Sequence, residues 1–530
     1  MTFGETVTLT AGSAQERRTE EGAAPQTAVV APQGRSPGPR QRGGSRTAGP
    51  GPGLRLWRQA EAARAALRRH YWTSVPARLR LLRAATVLLA TALAGLLLVA
   101  GLAALGTWNS VADRDAPRTT SAADLKLALN DMDAQAANIL LSNGDAGKGR
   151  LQTPYTKAVG FYGNSRREIG HDLRTLAVAA QGSGADEKTV ESLTDDFAEY
   201  QELVGRALEN DGHPGGRSAA LTDYRRATDL LRTQLLPAAD TLVSSNNAAF
   251  DTEYASARST LSAQLVTVLV LGVLLLAVLG VLQWFLARHF RRILNPGVLG
   301  ATVCTLLAVI LGAQLLSASA THLRVARHDA FDSVVALSRA RAIAYDANAD
   351  ESRYLLDPQR RERYADSFLA KSQALYGLKG ATLATYDSKL RTTWQAYETD
   401  HRDLRFAGEF RRELDNITFP GERAAAEKTV DAYAVYERDD RKIRALLAAG
   451  KASEAAEFCM GWEPGTSNAH FEAWMSALDQ VTDINRAHFT SSVRDGRAAV
   501  SGLLPWAGGL LAAAALLSLL GLRPRLAEFR

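Results

Sequence analysis

The densest polar run in any segment that must also pack is Asp346-Ala-Asn348-Ala-Asp350-Glu351-Ser-Arg353, set among apolar residues at helical spacing. Its carboxylates suit an ammonium group, and Arg353 offers the planar fork that pairs with a carboxylate. Together Asp346, Asn348, Asp350, Glu351 and Arg353 could therefore hold an amino acid. Asp133 occupies the matching place in an earlier segment, where Asp133-Ala-Gln-Ala-Ala137 parallels Asp346-Ala-Asn-Ala-Asp350. A plainer reading competes: a solvated helix face on which Asp350 or Glu351 pairs locally with Arg353. Helices in a bundle need polar faces in any case, and this weighs towards the plainer reading.

Other catalytic spacings are missing. The chain has no H-E-x-x-H, no C-x-x-C, no G-x-S-x-G and no phosphate-binding P-loop. Gly144-Asp-Ala-Gly147-Lys148-Gly149 lacks the preceding strand and the full spacing of a phosphate loop, and reads as a turn between helices. The 9 histidines are scattered without ligand spacing; His322 and His328 fall on different helix faces, which suits surface roles. Of the 2 cysteines, Cys304 lies in an apolar span and Cys459 in a polar block. They cannot bridge each other, and Cys459 is a spare thiol or a link between chains. The expectation is a non-enzyme with no cofactor and no metal.

The elements that must position the polar run are helices anchored in a membrane. Four apolar stretches, 81–106, 261–287, 297–318 and 500–522, contain no acidic residue. Each meets the roughly 20 residues that a bilayer-crossing helix needs. Their polar content is sparse (Thr267, Thr302, Cys304 and Gln314 stand out). Without ionisable groups inside them, an ion or proton path is disfavoured. The net charge of +6 is placed for topology rather than for nucleic acid. Arginine crowds ahead of the first span, in the linker 288–296 and in the tail 523–530, whereas acidic residues exceed basic ones by about six over 107–260. This pattern puts both ends on the cytoplasmic side of the cell membrane and the two large polar blocks, 107–260 and 319–499, outside it.

Residues 1–53 are rich in Gly, Pro, Ala, Arg, Ser and Thr and cannot bury enough surface to order, so a disordered cytoplasmic segment is expected. No apolar core lies near the start, so the first span reads as an uncleaved signal anchor. Residues 54–80 interleave Trp57, Leu67, Tyr71 and Trp72 with arginines, a basic juxtamembrane helix suited to anionic lipid, or to a cytosolic partner, with Pro76 separating it from the span. Block 107–260 reads as four helices, with breaks near Gly144, Gly182 to Gly184 and Gly212 to Gly215, and with Pro237 as a kink in the last. Block 319–499 repeats the scheme with extra length, placing helices at 360–378, 381–404, 422–447 and 453–460. Asn246-x-x-x-Phe250 and Asn485-x-x-x-Phe489 each precede an exit span. The matched order of these motifs points to an internal duplication. The fold expected is an all-α membrane protein, four transmembrane helices carrying two tandem extracytoplasmic four-helix-bundle-like domains.

The linker is the seam between the two copies. Arg288, Arg291 and Arg292 mark its cytoplasmic side, and Asn295-Pro296 turns the chain into the third span. Its brevity holds spans two and three close, so the two bundles should stand side by side. These five residues are also candidate output contacts.

The stretch Leu446-Leu-Ala-Ala-Gly450-Lys-Ala-Ser-Glu-Ala455-Ala-Glu resembles the hairpin of four-helix-bundle chemoreceptor sensor modules, although no HAMP region or signalling coiled coil follows any span. The whole layout resembles the actinobacterial GlnX-type membrane proteins. That likeness is carried by the Arg-rich N-terminal region, the tandem bundles, Arg291-Arg-Ile-Leu-Asn-Pro296 and Asp346-Ala-Asn-Ala-Asp-Glu-Ser-Arg-Tyr-Leu-Leu-Asp357. It implies a transducer of glutamate- or aspartate-type availability, partnered outside by an amino-acid-binding lipoprotein and inside by a cytosolic Ser/Thr kinase of the PknG type. It implies no particular binding residue. Membrane lipids are a further partner, and self-association stays open. A direct-binding receptor and a structural scaffold are the competing expectations.

Overall fold

The computed structural model describes residues 75–143, 151–290 and 295–527. The segment 1–53, most of 54–80, the turn at 144–149, Arg291, Arg292 and the end of the tail lie outside them. The described residues belong to one unit, and among them pairing between extended segments is limited to one isolated bridge, Gly377 with Ala407.

Helix α1 (Val75–Ser110) opens with Pro76 in its first turn, where a missing N–H costs nothing. It does not stop at the end of its apolar stretch. A π-helical turn, Val111–Asp115, joins it to α2 (Ala116–Asn143), making one rod of 69 residues and roughly 100 Å. Helices α3 (Gln152–Ala179) and α4 (Gly184–Asp211) follow, then α5 (Arg217–Leu230), the π turn Leu231–Leu235 and α6 (Leu236–Phe290). The second half repeats the first rod: α7 (Pro296–Arg324), a π turn at Val325–Phe331 and α8 (Asp332–Leu356). After α9 (Arg361–Leu375), α10 (Tyr386–Thr399), α11 (Glu409–Asp415), α12 (Glu422–Ala448) and α13 (Ala452–Met460), the chain returns through α14 (Ser467–Ala527).

The expected kink at Pro237 is replaced by the π turn just ahead of it. A proline ring clashes with the carbonyl four residues back, and for Pro237 that is Thr233, inside the widened turn. Pro117 stands in the same relation to the turn Val111–Asp115. Both prolines are thus accommodated within continuous helices.

Four helices are long and apolar enough to cross a membrane. They close into a ring in which α1 and α7 lie diagonally and each packs on α6 and α14. Small residues set the spacing: a Cβ on Gly297 would lie 2.7 Å from the Gly521 Cα, and one on Gly312 would lie 2.8 Å from Leu97. Leu88, Val273 and Trp506 point outward and stay largely exposed, an apolar belt suited to lipid rather than water. Span two also carries two half-buried glutamines with amide atoms turned inward. Gln264 Oε1 and both amide atoms of Gln283 have no hydrogen-bond partner.

Beyond the spans, α2, α3, α4 and the α5–α6 rod share one core built on Leu125, Met132, Ile169, Tyr200, Val204 and Leu231. The second domain surrounds Trp474 with Tyr433, Tyr436, Phe410 and Phe471. It departs from the expected plan. The helix expected over 381–404 is shorter, and α11 and the Gly377–Ala407 bridge are added. The two domains meet along α2 and α8.

Candidate functional site

Spacing decides what α8 presents. Asp346, Asp350 and Arg353 fall at i, i+4 and i+7 and share one face, while Arg341, Tyr345 and Asn348 form a second stripe beside it. On α2, Asp131, Gln135 and Asn138 repeat the spacing, with Asp133 turned towards its own domain's core. The first stripe of α8 enters a buried ion network and the second lines a pocket.

Arg353, with no exposed surface, is the centre of the network. Its guanidinium donates to Asp133 across the domain seam, to Asp350 at 2.6 Å, to Asp346 at 3.0 Å and to the Tyr224 hydroxyl at 3.3 Å. Lys371 of α9 bridges Asp346 at 2.7 Å and Asp350 at 2.5 Å. Arg232, from the π turn of the first domain, reaches Asp350 at 2.5 Å. Asp133 also accepts from Tyr200 at 2.9 Å, Tyr224 at 3.2 Å and Thr228 at 3.2 Å. Three carboxylates (Asp133, Asp346, Asp350) thus meet three cations (Arg232, Arg353, Lys371) with no net charge. Burial pushes the Asp346 and Asp350 pKa values up, but Lys371, Arg353 and Arg232 outweigh it and both end lowered. Burial acts against the Arg353 charge, and Asp133, Tyr224 and the two aspartates more than offset it.

The plainer reading of this run as a solvated face is therefore corrected: Asp350, Glu351 and Arg353 have no exposed surface. The reason is the second domain packed against the same helix, which one helix's own pattern cannot reveal. The amino-acid-holding reading changes too, because these charges are already matched by one another. Glu351 leaves the group and faces α12 and α14. Its Oε2 accepts from Ser467 at 3.1 Å, and burial with Asp440 and Asp439 nearby raises its pKa well above the usual range. Asn348 lines the pocket. Of the output candidates, Arg288 sits at the end of α6 with its guanidinium 5.7 Å from the Trp284 ring centre. Asn295 caps α7 by accepting from the Gly297 and Val298 N–H groups, with Pro296 in the first turn. Arg291 and Arg292 lie outside the described residues.

The pocket, about 310 Å³, opens between the domains. Its polar side includes Asp131, Asn348, Arg341 and Asp479, its apolar side Phe161, Trp462, Phe471 and Met475. A relay of hydrogen bonds connects it to the seam: Ser352 donates to Asn138 at 2.6 Å, Asn138 to Gln135 at 3.4 Å, and Gln135 to Asp131 at 2.8 Å. Burial raises the Asp131 pKa to about 6 even though Gln135 and Ser165 both donate to it. Arg232 and Lys371 escaped the reading of the sequence because each sits on an element remote from the polar run, and Asp131 and Arg341 because, although on α2 and α8 themselves, they fall outside the two paralleled motifs. The signal available for two of them was the i, i+4, i+7 stripes of α2 and α8.

Membrane-length helices bearing two coupled polar domains mark a multi-pass membrane protein. Residues 107–255, from the end of α1 through the first domain into α6, match the family model of an actinobacterial sensor domain. Neither curated proteins nor solved structures give a match to the chain.

Proposed function

We propose that the chain is a non-enzymatic sensor-transducer of the cell membrane, with both helical domains extracytoplasmic and both termini cytoplasmic. The observation that carries this reading is the buried network joining α2 to α8, since each of those helices continues as a rod into a membrane-length span. A ligand or partner that shifts one domain against the other must move rods that reach the opposite face. Shifts of about 1–2 Å transmit signals at known helix interfaces. The sensor-family match over 107–255 supports the same reading.

The input is glutamate or aspartate delivered by a solute-binding lipoprotein, and the output is read by a cytosolic Ser/Thr kinase. This part rests on the likeness to GlnX-type proteins. The direct-binding reading gains a specific observation in the inter-domain pocket. Its acidic lining, however, opposes an acidic amino acid there.

Crosslinking in native membranes with and without glutamate or aspartate, followed by tagged pull-down, tests the proposal. Recovery of neither a binding lipoprotein nor a kinase sinks it. Arg291→Ala with Arg292→Ala should impair signalling more than expression, and equal loss of both would reduce the linker to a topological role.

A further inference from the structure

We propose that the pocket between the two domains binds a small organic cation, an amine or quaternary ammonium compound with an apolar body. The lining has three carboxylates, Asp131, Glu472 and Asp479, against one guanidinium, Arg341. Arg341 is held by Asp479 at 2.5 Å. The pairing leaves Asp131 and the exposed Glu472 without a cation of their own in the pocket. Amide side chains of Gln135, Asn348 and Asn468 stand around them, each at least nine-tenths buried.

The apolar wall is aromatic, and it is assembled from both domains. Phe161 of the first domain and Trp462 of the second meet with ring centres 5.8 Å apart. Phe471 and Tyr345 meet edge-on at 5.0 Å on the other side. Carboxylates beside aromatic faces are the chemistry that recognises alkylammonium groups. The Trp462 ring already shows this attraction: the Lys157 ammonium lies 3.8 Å from its centre. Counting Lys157, three carboxylates still face two cations. The volume, about 310 Å³, falls at the small end of ligand pockets.

Occupancy would tie the domains together at the seam itself, because Asn348 lies between Asp346 and Asp350 on α8 and Asn138 bonds Ser352. The site thus goes beyond the proposed function, adding an input chemically opposite to an acidic amino acid. It rests on the sensor reading only for the consequence of binding, not for binding.

Titration calorimetry on the full chain in lipid nanodiscs tests it, with phenethylamine, tryptamine, choline and spermidine as probes and 3-phenylpropionate and glutamate as acidic controls. At least one cation should bind saturably and neither acid should. Asp131→Asn and Trp462→Ala should each weaken binding by about tenfold or more. Glu472→Gln, on an exposed side chain where folding is not at stake, should weaken it several-fold. No cation binding up to about 10 mM, a floor of weak affinity, overturns the proposal. So does binding of an acid, or cation binding indifferent to both Asp131→Asn and Glu472→Gln. Cation binding that leaves unchanged the accessibility of cysteines introduced at the span ends supports the site and counts against the relay.

Discussion

Arg353 and Asp133, 220 residues apart in sequence, form a fully buried ion pair across the seam between the two helical domains. The pair adds to partners within each domain, Asp346 and Asp350 beside Arg353 and the Tyr200, Tyr224 and Thr228 hydroxyls beside Asp133. Taking Arg353 away leaves Asp133 held only by hydroxyl groups and leaves Asp346 and Asp350 close together with one fewer cation. Breaking such a pair from one side typically costs about 3–5 kcal/mol. Arg353→Met is expected to destabilise the folded protein by that order in denaturant unfolding in detergent. Asp133→Asn with Arg353→Met should cost less than the sum of the singles by roughly 1–3 kcal/mol. Additive costs would mean that the two residues do not act as a pair.

Asn295 makes two connections with one side chain, and substitutions can separate them. Its Oδ1 accepts from Gly297 and Val298 at the start of α7, and its Nδ2 donates to the Gly521 carbonyl of α14 at 2.9 Å. Asn295→Ala loses both the cap and the cross-helix bond and should cost about 1–2 kcal/mol. Asn295→Asp keeps the cap acceptor but has no donor for Gly521, so its melting temperature should fall between those of the wild type and the alanine variant. Equal melting of the aspartate and alanine variants would show that the bond to Gly521, not the cap, is what Asn295 contributes.

Legibility in the sequence follows the range of the forces. The spans were legible because length and the absence of charge decide them locally. The breaks at Gly182 and Gly215 were legible because both residues adopt positive φ, at 86° and 80°. The parallel between Asp133 and Asp346 pointed to residues that share the network, yet their burial depended on Lys371 and Arg232, which no local pattern links to them. Asn246 and Asn485 show the same limit. Both bond inward near an exit span, but Asn246 donates to the Arg118 carbonyl and Asn485 to Glu422 at 2.7 Å. The π turns went unread because a one-residue widening leaves the apolar spacing almost unchanged.

The second domain should lose stability as pH rises through neutrality. Burial raises the Glu413 pKa to about 8, helped by the neighbouring Glu422 carboxylate, and neither Glu413 oxygen accepts a hydrogen bond. An unfolded glutamate ionises near its ordinary value of 4.5. Below that value both states hold the proton and the group contributes nothing to the pH dependence. Above it the unfolded chain sheds the proton first and is favoured by up to about 1.4 kcal/mol per pH unit, until the folded group ionises near 8. Glu413→Gln should flatten the fall in melting temperature between roughly pH 5 and 8. An unchanged slope would place the titration elsewhere.

Asp131 supplies a second pH dependence with a functional readout. Its pKa of about 6 means that the carboxylate is ionised at neutral pH and neutralised on mild acidification. Affinity of the pocket for an organic cation should therefore fall as pH drops from 7 through about 6, and the fall should be absent in Asp131→Asn. Calorimetric titrations at several pH values measure it, and cation affinity that rises on acidification would contradict the role given to Asp131.

Cys459 reports on whether the seam is closed. It is buried beside Ser352, with 3.8 Å between sulfur and hydroxyl oxygen, in a small cluster with Ile443, Phe458 and Met460. Burial, together with Glu351, raises the thiol pKa well above its ordinary value, so both access and the thiolate fraction work against reaction. A bond between two chains at this position would require the cluster to open, which makes the free thiol the state compatible with the packing. In a Cys304→Ser background, Cys459 should resist a maleimide probe in native membranes under conditions that label the denatured chain fully. Adding Arg353→Met should speed labelling, because Ser352, next to Arg353, forms one wall of the thiol's surroundings. Rapid labelling without that change would show that α13 does not stay closed against α8.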